Sequence, residues 1–258
     1  MEEHVINSLT MASIKLSDIS TRAPKEFEKS KTKEDLPELL AEVAELQNLL
    51  YASSSNALLI VIQGMDASGK DGAIRNVFSS VNPQGVVVHS YKVPTPEEAA
   101  HDFLWRIHKN APQKGMMAVF NRSHYEDILV TRVHKWCDDV TAKQRMKAIN
   151  DFEELLQNNS TTVLKFYLHI SHEEQKQRLE ERIKDPAKQW KYNANDFKES
   201  ALWDDYIKMY EDCFENCNKV PWIIVPADQN WYKEYVMIKT IRDTLKSFRM
   251  QYPGLKKT

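Results

Sequence analysis

The stretch GMDASGKDG, residues 64–72, lies directly after an apolar run and directly before a helical pattern. It contains three of the six glycines of the chain, and it matches the pattern G-x-x-x-x-G-K of a phosphate loop in the strand–loop–helix order that this loop requires. Glycines let backbone N–H groups turn inward around an anion, and the N-terminus of the next helix adds partial positive charge. The stretch therefore predicts a phosphate site.

The side chains of this loop add a cation and two anions. Lys70 brings a mobile ammonium to the phosphate oxygens, and the loop as a whole is predicted to bind phosphate through Gly64, Ala67, Ser68, Gly69, Lys70 and Asp71. A bare carboxylate beside phosphate costs about 1 kcal/mol or more per close contact, so we interpret Asp66 as a Mg²⁺ ligand that also orients or deprotonates the acceptor. An Asx-type turn is the alternative for Asp66. Asp71 replaces the usual Ser or Thr, and helix capping is an equal alternative to a site role there.

Outward from the loop, short apolar runs alternate with longer helical patterns. Runs that are apolar on both faces are typical of parallel strands covered by helices, so the alternation predicts a three-layer α/β/α sandwich with a five-stranded parallel sheet. The runs are Ala57–Ile62, Val86–His89, Met116–Phe120, Val163–Ile170 and Trp222–Val225. The helical patterns lie near residues 70–80, 96–109, 122–135, 141–158, 171–184, 195–217 and 230–250.

The chain before the first strand divides at Asp35. Residues 1–34 have little periodicity and predict an extended leader, whereas a helix is predicted from Asp35, with Pro37 in its first turn. We expect one kinase-like domain over residues 35–258, and a lid insertion at about 176–200, because the region between the fourth and fifth strands is too long for a single crossover.

Composition excludes several classes of protein. The chain is 42% hydrophobic and 28% charged, and its 35 basic and 37 acidic residues give a net charge of −2, so no nucleic-acid partner is indicated. Three cysteines are too few for a disulfide framework. The acidic start and the lack of a long apolar run predict a cytoplasmic protein with no membrane segment.

Two further clusters complete the candidate site. After the third strand, Asn121 stands where an acid is usual, Arg122 offers a planar fork for phosphate, and Glu126 follows one turn later. In residues 176–191, six basic and three acidic residues give a local charge of +3. A solvated helix face is the ordinary explanation of such a run, but beside a phosphate loop it predicts a basic lid. The further cationic candidates are Arg178, Arg182, Lys188, Arg75 and Lys92.

Six sequence blocks occur in an order that resembles the family-2 polyphosphate kinases. They are GMDASGKDG, VNPQGVVVHSYKVPTPEE, FNRSHYEDILVTRV, RIKDPAKQWK, ALWDDY and VPADQNWY, and the resemblance covers about residues 35–250. It implies a thymidylate-kinase-like fold and transfer of a terminal phosphoryl group between inorganic polyphosphate and a nucleotide, with Mg²⁺ or Mn²⁺. It also implies a homo-oligomer, a dimer or tetramer, and adenine or guanine nucleotides as the partners.

The resemblance assigns roles to individual residues. Asp66 matches the loop carboxylate that acts in metal binding and acceptor activation, Lys70 and Arg122 match the clamp on the transferred group, and Arg178 and Arg182 match the lid arginines. Many members have Phe-Asp-Arg-Ser-Trp-Tyr-Asn-Arg where this chain has Phe-Asn-Arg-Ser-His-Tyr-Glu-Asp. The version with Asn121 and Glu126 resembles the class III subgroup, which accepts both AMP and ADP. Glu126 is then a nucleotide contact or a second metal ligand.

Two other functions fit part of the pattern. An ATP-dependent nucleoside-monophosphate kinase would share the loop and the lid arginines, but the two loop carboxylates count against it. A regulatory nucleotide-binding module without turnover would not need Asp66, Lys70 and the lid arginines together.

Overall fold

The computed structural model describes residues 5–6 and 14–255. The rest of the predicted leader, residues 1–4 and 7–13, lies outside this part of the chain. The strands, in chain order, are β1 (Val5–Ile6), β2 (Ala57–Gly64), β3 (Val86–Ser90), β4 (Met117–Asn121), β5 (Thr161–His169) and β6 (Trp222–Pro226).

The strands form one sheet in the order β1-β6-β5-β2-β4-β3. Strands β2 to β6 are all parallel, so the predicted α/β fold with a five-stranded parallel sheet is confirmed. Strand β1 is an addition that the sequence did not predict, and it pairs antiparallel with the edge strand β6. The central strand β2 is buried along its whole length because helices cover both faces of the sheet. The phosphate loop therefore starts from a strand that is buried along its whole length.

The helices are α1 (Lys29–Ser53), α2 (Lys70–Val77), α3 (Pro96–Ala99), α4 (Trp105–His108), α5 (Val130–Val133), α6 (Asp139–Asn158), α7 (His172–Lys184), α8 (Ala194–Ser200), α9 (Trp203–Asn216) and α10 (Asn230–Ser247). Across residues 14–255, none of the helices is both long and apolar enough to cross a membrane.

Three predicted helices are interrupted in the structure. The pattern at 96–109 divides into α3 and α4, and the Asp102 carboxylate accepts a hydrogen bond from the Leu104 N–H between them at 3.0 Å. The pattern at 122–135 begins with Arg122 in a left-handed conformation, so a 3-10 helix (His124–Ile128) precedes α5. The pattern at 195–217 divides into α8 and α9.

Helix α1 begins earlier than predicted. It starts at Lys29, so residues 29–34 are helical instead of extended, and Pro37 lies inside the helix instead of in its first turn. Tertiary packing outweighs the missing proline N–H, because α1 packs along α10 and Thr32 is buried. The preceding segment also packs on the core: Leu16 is 1% exposed, and its N–H donates to the Glu211 carboxylate at 2.8 Å.

Candidate active site

The phosphate loop turns from β2 into α2 through left-handed residues. Ala67 has a φ of +60° and Gly69 a φ of +91°. The positive φ favours glycine at position 69, and an added Cβ atom would also displace the Lys233 ammonium nitrogen, which would lie 2.5 Å away. Gly72, by contrast, lies inside α2 with nothing near an added Cβ, so neither its conformation nor its surroundings require glycine.

Lys70 is the first residue of α2, and its side chain lies against the loop. It is only 8% exposed, and its ammonium donates to the carbonyls of Gly64 at 2.7 Å and Met65 at 3.0 Å. Burial, together with the charge of Arg122, lowers the pKa of Lys70 to about 8, against the opposing effect of Asp66 and other carboxylates. The ammonium group of Lys70 therefore lies in the predicted phosphate loop and is protonated below about pH 8.

Asp66 and Arg122 form an ion pair across the mouth of the loop. The Arg122 guanidinium donates to the Asp66 carboxylate at 2.5 Å, and it lies 3.6 Å from the Glu126 carboxylate. Arg122 has a φ of +63°, a strained conformation for a residue with a side chain, of the kind that concentrates at functional sites. The Arg122 side chain therefore lies against the carboxylate of the phosphate loop, and its role toward phosphate stays a prediction.

The charges of this cluster act on one another. Burial raises the pKa of Asp66, but the positive charges of Arg122, Lys70 and Arg182 together lower it further, and the carboxylate stays ionised. The negative charge of Glu126, followed by that of Asp66, raises the pKa of Arg122 against the effect of burial. An ionised carboxylate and a permanent cation are therefore held together at the loop.

A buried network fixes the turn that carries Arg122 and Glu126. The Tyr125 hydroxyl donates to the Glu153 carboxylate at 2.6 Å, and the Lys165 ammonium donates to the other oxygen of Glu153 and to the Tyr125 oxygen, both at 2.8 Å. All three side chains are fully buried. The turn is therefore anchored to α6 and β5 from behind.

Asn121 ends β4 as predicted, next to the N-terminus of α2. Its amide donates to the Asp71 carboxylate at 2.8 Å and to the Ser90 hydroxyl at 3.4 Å. A neutral side chain at position 121 therefore supports Asp71, whereas an aspartate there would place two carboxylates in contact.

The two predicted lid arginines have different surroundings. The Arg178 guanidinium donates to Glu174 and to four backbone carbonyls, two in the phosphate loop and two after β6, at 2.8–3.2 Å. Arg182 has one carboxylate partner, Asp196 of α8, at 2.6 Å. Lys188 pairs with Glu181 at 2.9 Å and is exposed. Arg178 thus braces the loop, whereas Arg182 and Lys188 pair with carboxylates inside the predicted lid segment, residues 176–200.

These groups surround a cavity of about 630 Å³, which we call the main cavity. Most of the predicted site residues line it; Gly64, Ser68 and Glu126 do not. Its ionisable lining residues are nine cations and five anions, in a chain of net charge −2. The predicted residues in the lining are Asp66, Ala67, Gly69, Lys70, Asp71, Arg75, Lys92, Asn121, Arg122, Arg178, Arg182 and Lys188.

A second lysine lies at the loop that was not among the residues predicted from the sequence. Lys233 of α10 is 1% exposed, and its ammonium donates to Asn230 at 2.8 Å and to the Gly69 carbonyl at 3.3 Å. Burial and the charge of Arg178 lower its pKa to about 8. The sequence did contain an indication of this. Lys233 lies four and eight residues before the buried positions 237 and 241 of the same helix, on a face where an apolar residue is usual.

The carboxylates at the loop fit a divalent metal that is shared with substrate. Within residues 5–6 and 14–255, no three or more His, Cys, Asp or Glu residues form a metal-binding group. Mg²⁺ usually takes only one or two protein carboxylates, with phosphate oxygens and water as the other ligands. Asp66, ionised and in the lining of the main cavity, meets that requirement.

Comparison with known proteins gives a consistent result. The chain matches the family model described as Polyphosphate kinase 2 (PPK2) over residues 26–253. It is 45% identical over 222 residues to the AMP/ADP-polyphosphate phosphotransferase of Meiothermus ruber, covering 85% of this chain and 83% of that protein. It is 40% identical over 243 residues to the ADP-polyphosphate phosphotransferase of Rhodopseudomonas palustris, covering 86% and 83%.

A solved structure shares nearly the whole fold. The crystal structure of Polyphosphate Kinase 2 from Arthrobacter aurescens TC1 superimposes with a TM-score of 0.92 at 37% sequence identity. The match covers 98% of this chain and 94% of that one.

Proposed function

The chain belongs to the polyphosphate kinase 2 family, and on this premise we propose that it transfers the terminal phosphoryl group of inorganic polyphosphate to AMP and to ADP. The observation that carries the proposal is the Asp66–Arg122 ion pair beside the buried Lys70, at the mouth of a cavity whose lining is mostly cationic. The names of the relatives support polyphosphate as the donor over ATP.

In this reaction the protein mainly positions two anions and offsets charge on the transferred group. The transition state is loose, so little covalent chemistry is required of the side chains. We propose that Lys70 and Arg122 bind the transferred phosphoryl group, one as a point charge and the other as a planar fork. Asp66, next to both, orients the attacking oxygen of the acceptor nucleotide.

We propose Mg²⁺, or Mn²⁺ in its place, as the metal. Asp66 would hold the metal together with phosphate oxygens. Glu126, which contacts the same Arg122 guanidinium as Asp66, is the second carboxylate that we propose as a ligand. When bound, the metal supplies positive charge against the phosphate oxygens. The protein residues then have to keep Asp66 ionised, which the charges of Arg122, Lys70 and Arg182 do.

The acceptor is proposed to enter at the end of the main cavity formed by β3 and β4. Ser90, Tyr91, Lys92 and Asn121 line this end, which we call the acceptor end. The neutral Asn121 adds no charge there, and its amide is hydrogen-bonded to Asp71. This arrangement supports use of both AMP and ADP as acceptors. The additional phosphate of ADP is repelled less by the neutral Asn121 than it would be by an aspartate at this position.

A matrix of acceptors tests the proposal. AMP, ADP, GMP and GDP are each incubated with long-chain polyphosphate, with and without Mg²⁺, and the products are separated by chromatography. We expect ADP and ATP from the adenine nucleotides, and loss of product after metal removal with EDTA. Lys70→Ala should lose activity by about 10²-fold or more, as for removal of one transition-state donor, whereas the exposed-surface control Lys219→Ala should not. No product from AMP or ADP would refute the proposal.

A further inference from the structure

A second cavity of about 530 Å³ lies at the N-terminal end of α10, and we call it the outer cavity. It shares three lining residues with the main cavity: Asn76, Asn230 and Glu234. Because these residues line both spaces, the two cavities adjoin at the N-terminal part of α10.

The sheet order places the outer cavity opposite the acceptor end. Strand β2, which carries the loop, is central; β4 and β3 lie on one side of it, and β5 and β6 on the other. The acceptor end is formed by β3 and β4, whereas the outer cavity is formed by the start of α10, which follows β6, by the start of α1 and by Arg22 before it. A linear ligand that reaches the loop and extends away from the acceptor end therefore points toward the outer cavity.

The outer cavity contains cations without anionic partners. Arg22, Lys29 and Lys33 line it and are exposed, and in the part of the chain that the structure describes none of them forms an ion pair. Lys29 and Lys33 are also four residues apart on α1, a spacing at which like charges repel. Three unpaired cations around one cavity favour an anionic ligand.

The carboxylates of the outer cavity already accept hydrogen bonds. Asp228 accepts from the Thr21 hydroxyl at 2.7 Å and from the Ser171 N–H at 2.8 Å. Glu234 accepts a hydrogen bond from the Asn76 amide at 2.7 Å, and the buried Lys233 directly precedes it in α10. The two anions are thus used within the protein, while the three cations face the cavity.

The end of a long helix adds positive potential. Asn230 and Trp231, the first residues of α10, line the outer cavity. The side chain of the preceding Gln229 makes no capping bond to the helix; it accepts a hydrogen bond from the Ala23 N–H at 2.9 Å instead. An uncapped N-terminus favours negative charge nearby, in addition to the three side-chain cations.

We propose that the outer cavity binds the distal phosphates of the polyphosphate donor, beyond those held at the phosphate loop. The inference rests on the proposed function, and adds to it a site that distinguishes long donors from short ones. A chain of phosphates carries charge along its whole length, so it needs cations outside the main cavity, whereas a short donor ends before them. Three cations that lie past the loop meet that need.

A triple substitution tests the proposal. The variant Arg22→Gln, Lys29→Gln, Lys33→Gln removes the outer-cavity cations, none of which lines the main cavity. We expect its KM for long-chain polyphosphate to rise about tenfold, since three exposed charge contacts each contribute a factor of about two. Its KM for tripolyphosphate and for AMP and ADP should stay within about twofold.

The matched control removes the same number of charges from the same segment. Lys15, Lys25 and Lys31 are exposed and do not line the outer cavity, so the variant Lys15→Gln, Lys25→Gln, Lys31→Gln should keep the wild-type KM for both donors. The conservative variant Arg22→Lys, Lys29→Arg, Lys33→Arg should also keep it. The wild-type KM should depend more steeply on salt for the long donor than for tripolyphosphate, a readout that needs no variant.

Each alternative outcome is decisive. An equal KM of wild type and triple variant for the long donor, or an effect confined to AMP and ADP, would overturn the proposal while leaving the proposed function intact. Equal salt dependence for the two donors would overturn it as well. Wild-type protein that is inactive with every polyphosphate would refute the proposed function itself, and the inference with it.

Discussion

Lys70 is charged and buried at the same time, and its pKa determines when it can bind phosphate. A pKa of about 8 means that the ammonium loses its proton as the pH rises through 8, whereas an exposed lysine would stay charged for two further pH units. The kcat/KM of an enzyme reports on ionisation in the free protein. The cluster of Lys70, Arg122 and Asp66 therefore predicts activity that declines in mildly alkaline solution.

We predict that kcat/KM for polyphosphate falls by about tenfold per pH unit above pH 8. The check is the pH profile of wild type between pH 6.5 and about 9.5, recorded beside Lys70→Arg and Lys233→Arg. Arginine stays charged over this whole pH range, so the activity of Lys70→Arg should not decline above pH 8. Lys233→Arg changes the other lysine of low pKa, and its activity should decline as that of wild type does. A wild-type profile that is flat to the alkaline limit would contradict this role of Lys70.

Asn121 and Glu126 are predicted to set the choice between AMP and ADP. The double variant Asn121→Asp, Glu126→Asn moves a carboxylate from position 126, which does not line the main cavity, to position 121, which lines it and lies against Asp71. An additional repulsion of about 1 kcal/mol disfavours the more highly charged ADP, so the ratio of AMP to ADP activity should rise about fivefold. Initial rates with each acceptor at saturating polyphosphate measure it. An unchanged ratio would refute the hypothesis.

Among the secondary-structure elements, the strands and the longer helices could be predicted from the sequence, but the breaks within predicted helices could not. The parallel strands and α2, α6, α7 and α10 follow from apolar periodicity, since each buries a continuous face. The break before the 3-10 helix (His124–Ile128) depends on the left-handed Arg122, which no propensity predicts. The early start of α1 depends on its packing with α10, an element nearly 200 residues away in sequence.

The two arginines of α7 illustrate the same limit. Their spacing of four residues indicates a shared helix face, but not which carbonyls or carboxylates the rest of the fold brings to each one. Arg178 is committed to the phosphate loop and the segment after β6, and Arg182 to Asp196. Their substitutions should therefore have different effects.

We predict that Arg178→Ala lowers the free energy of unfolding by about 2 kcal/mol, because loop carbonyls lose a charged donor. For a chain of this size, that corresponds to a Tm lower by about 4–8 °C. Arg182→Ala should leave Tm within about 2 °C and reduce kcat/KM by about 10²-fold, as expected for loss of a cation that lines the main cavity and is proposed to stabilise charge on the bound phosphates. Thermal melting and kinetics of both variants provide the check. A Tm that falls equally for both would contradict the distinction.

At the scale of the whole molecule, the phosphate loop and its carboxylate were readable from the sequence because they are contiguous. The complete lining of the main cavity was not, because Lys233, Asn230 and Asp196 come from elements far along the chain and join it only after folding. Lys233 in particular occupies a core-facing position of α10 and is recognisable as a site residue only from its contact with the Gly69 carbonyl.

The central claim is that this molecule uses polyphosphate, and not a nucleoside triphosphate, as phosphoryl donor. The most direct measurement is the rate of phosphorylation of AMP with polyphosphate as the sole donor and Mg²⁺ present, compared with the rate when ATP replaces polyphosphate, with Asp66→Asn as the inactive control. We expect ADP and then ATP with polyphosphate, and at least tenfold lower kcat/KM with ATP as donor, equivalent to about 1.4 kcal/mol. Efficient phosphorylation of AMP by ATP, with no product from polyphosphate, would contradict it.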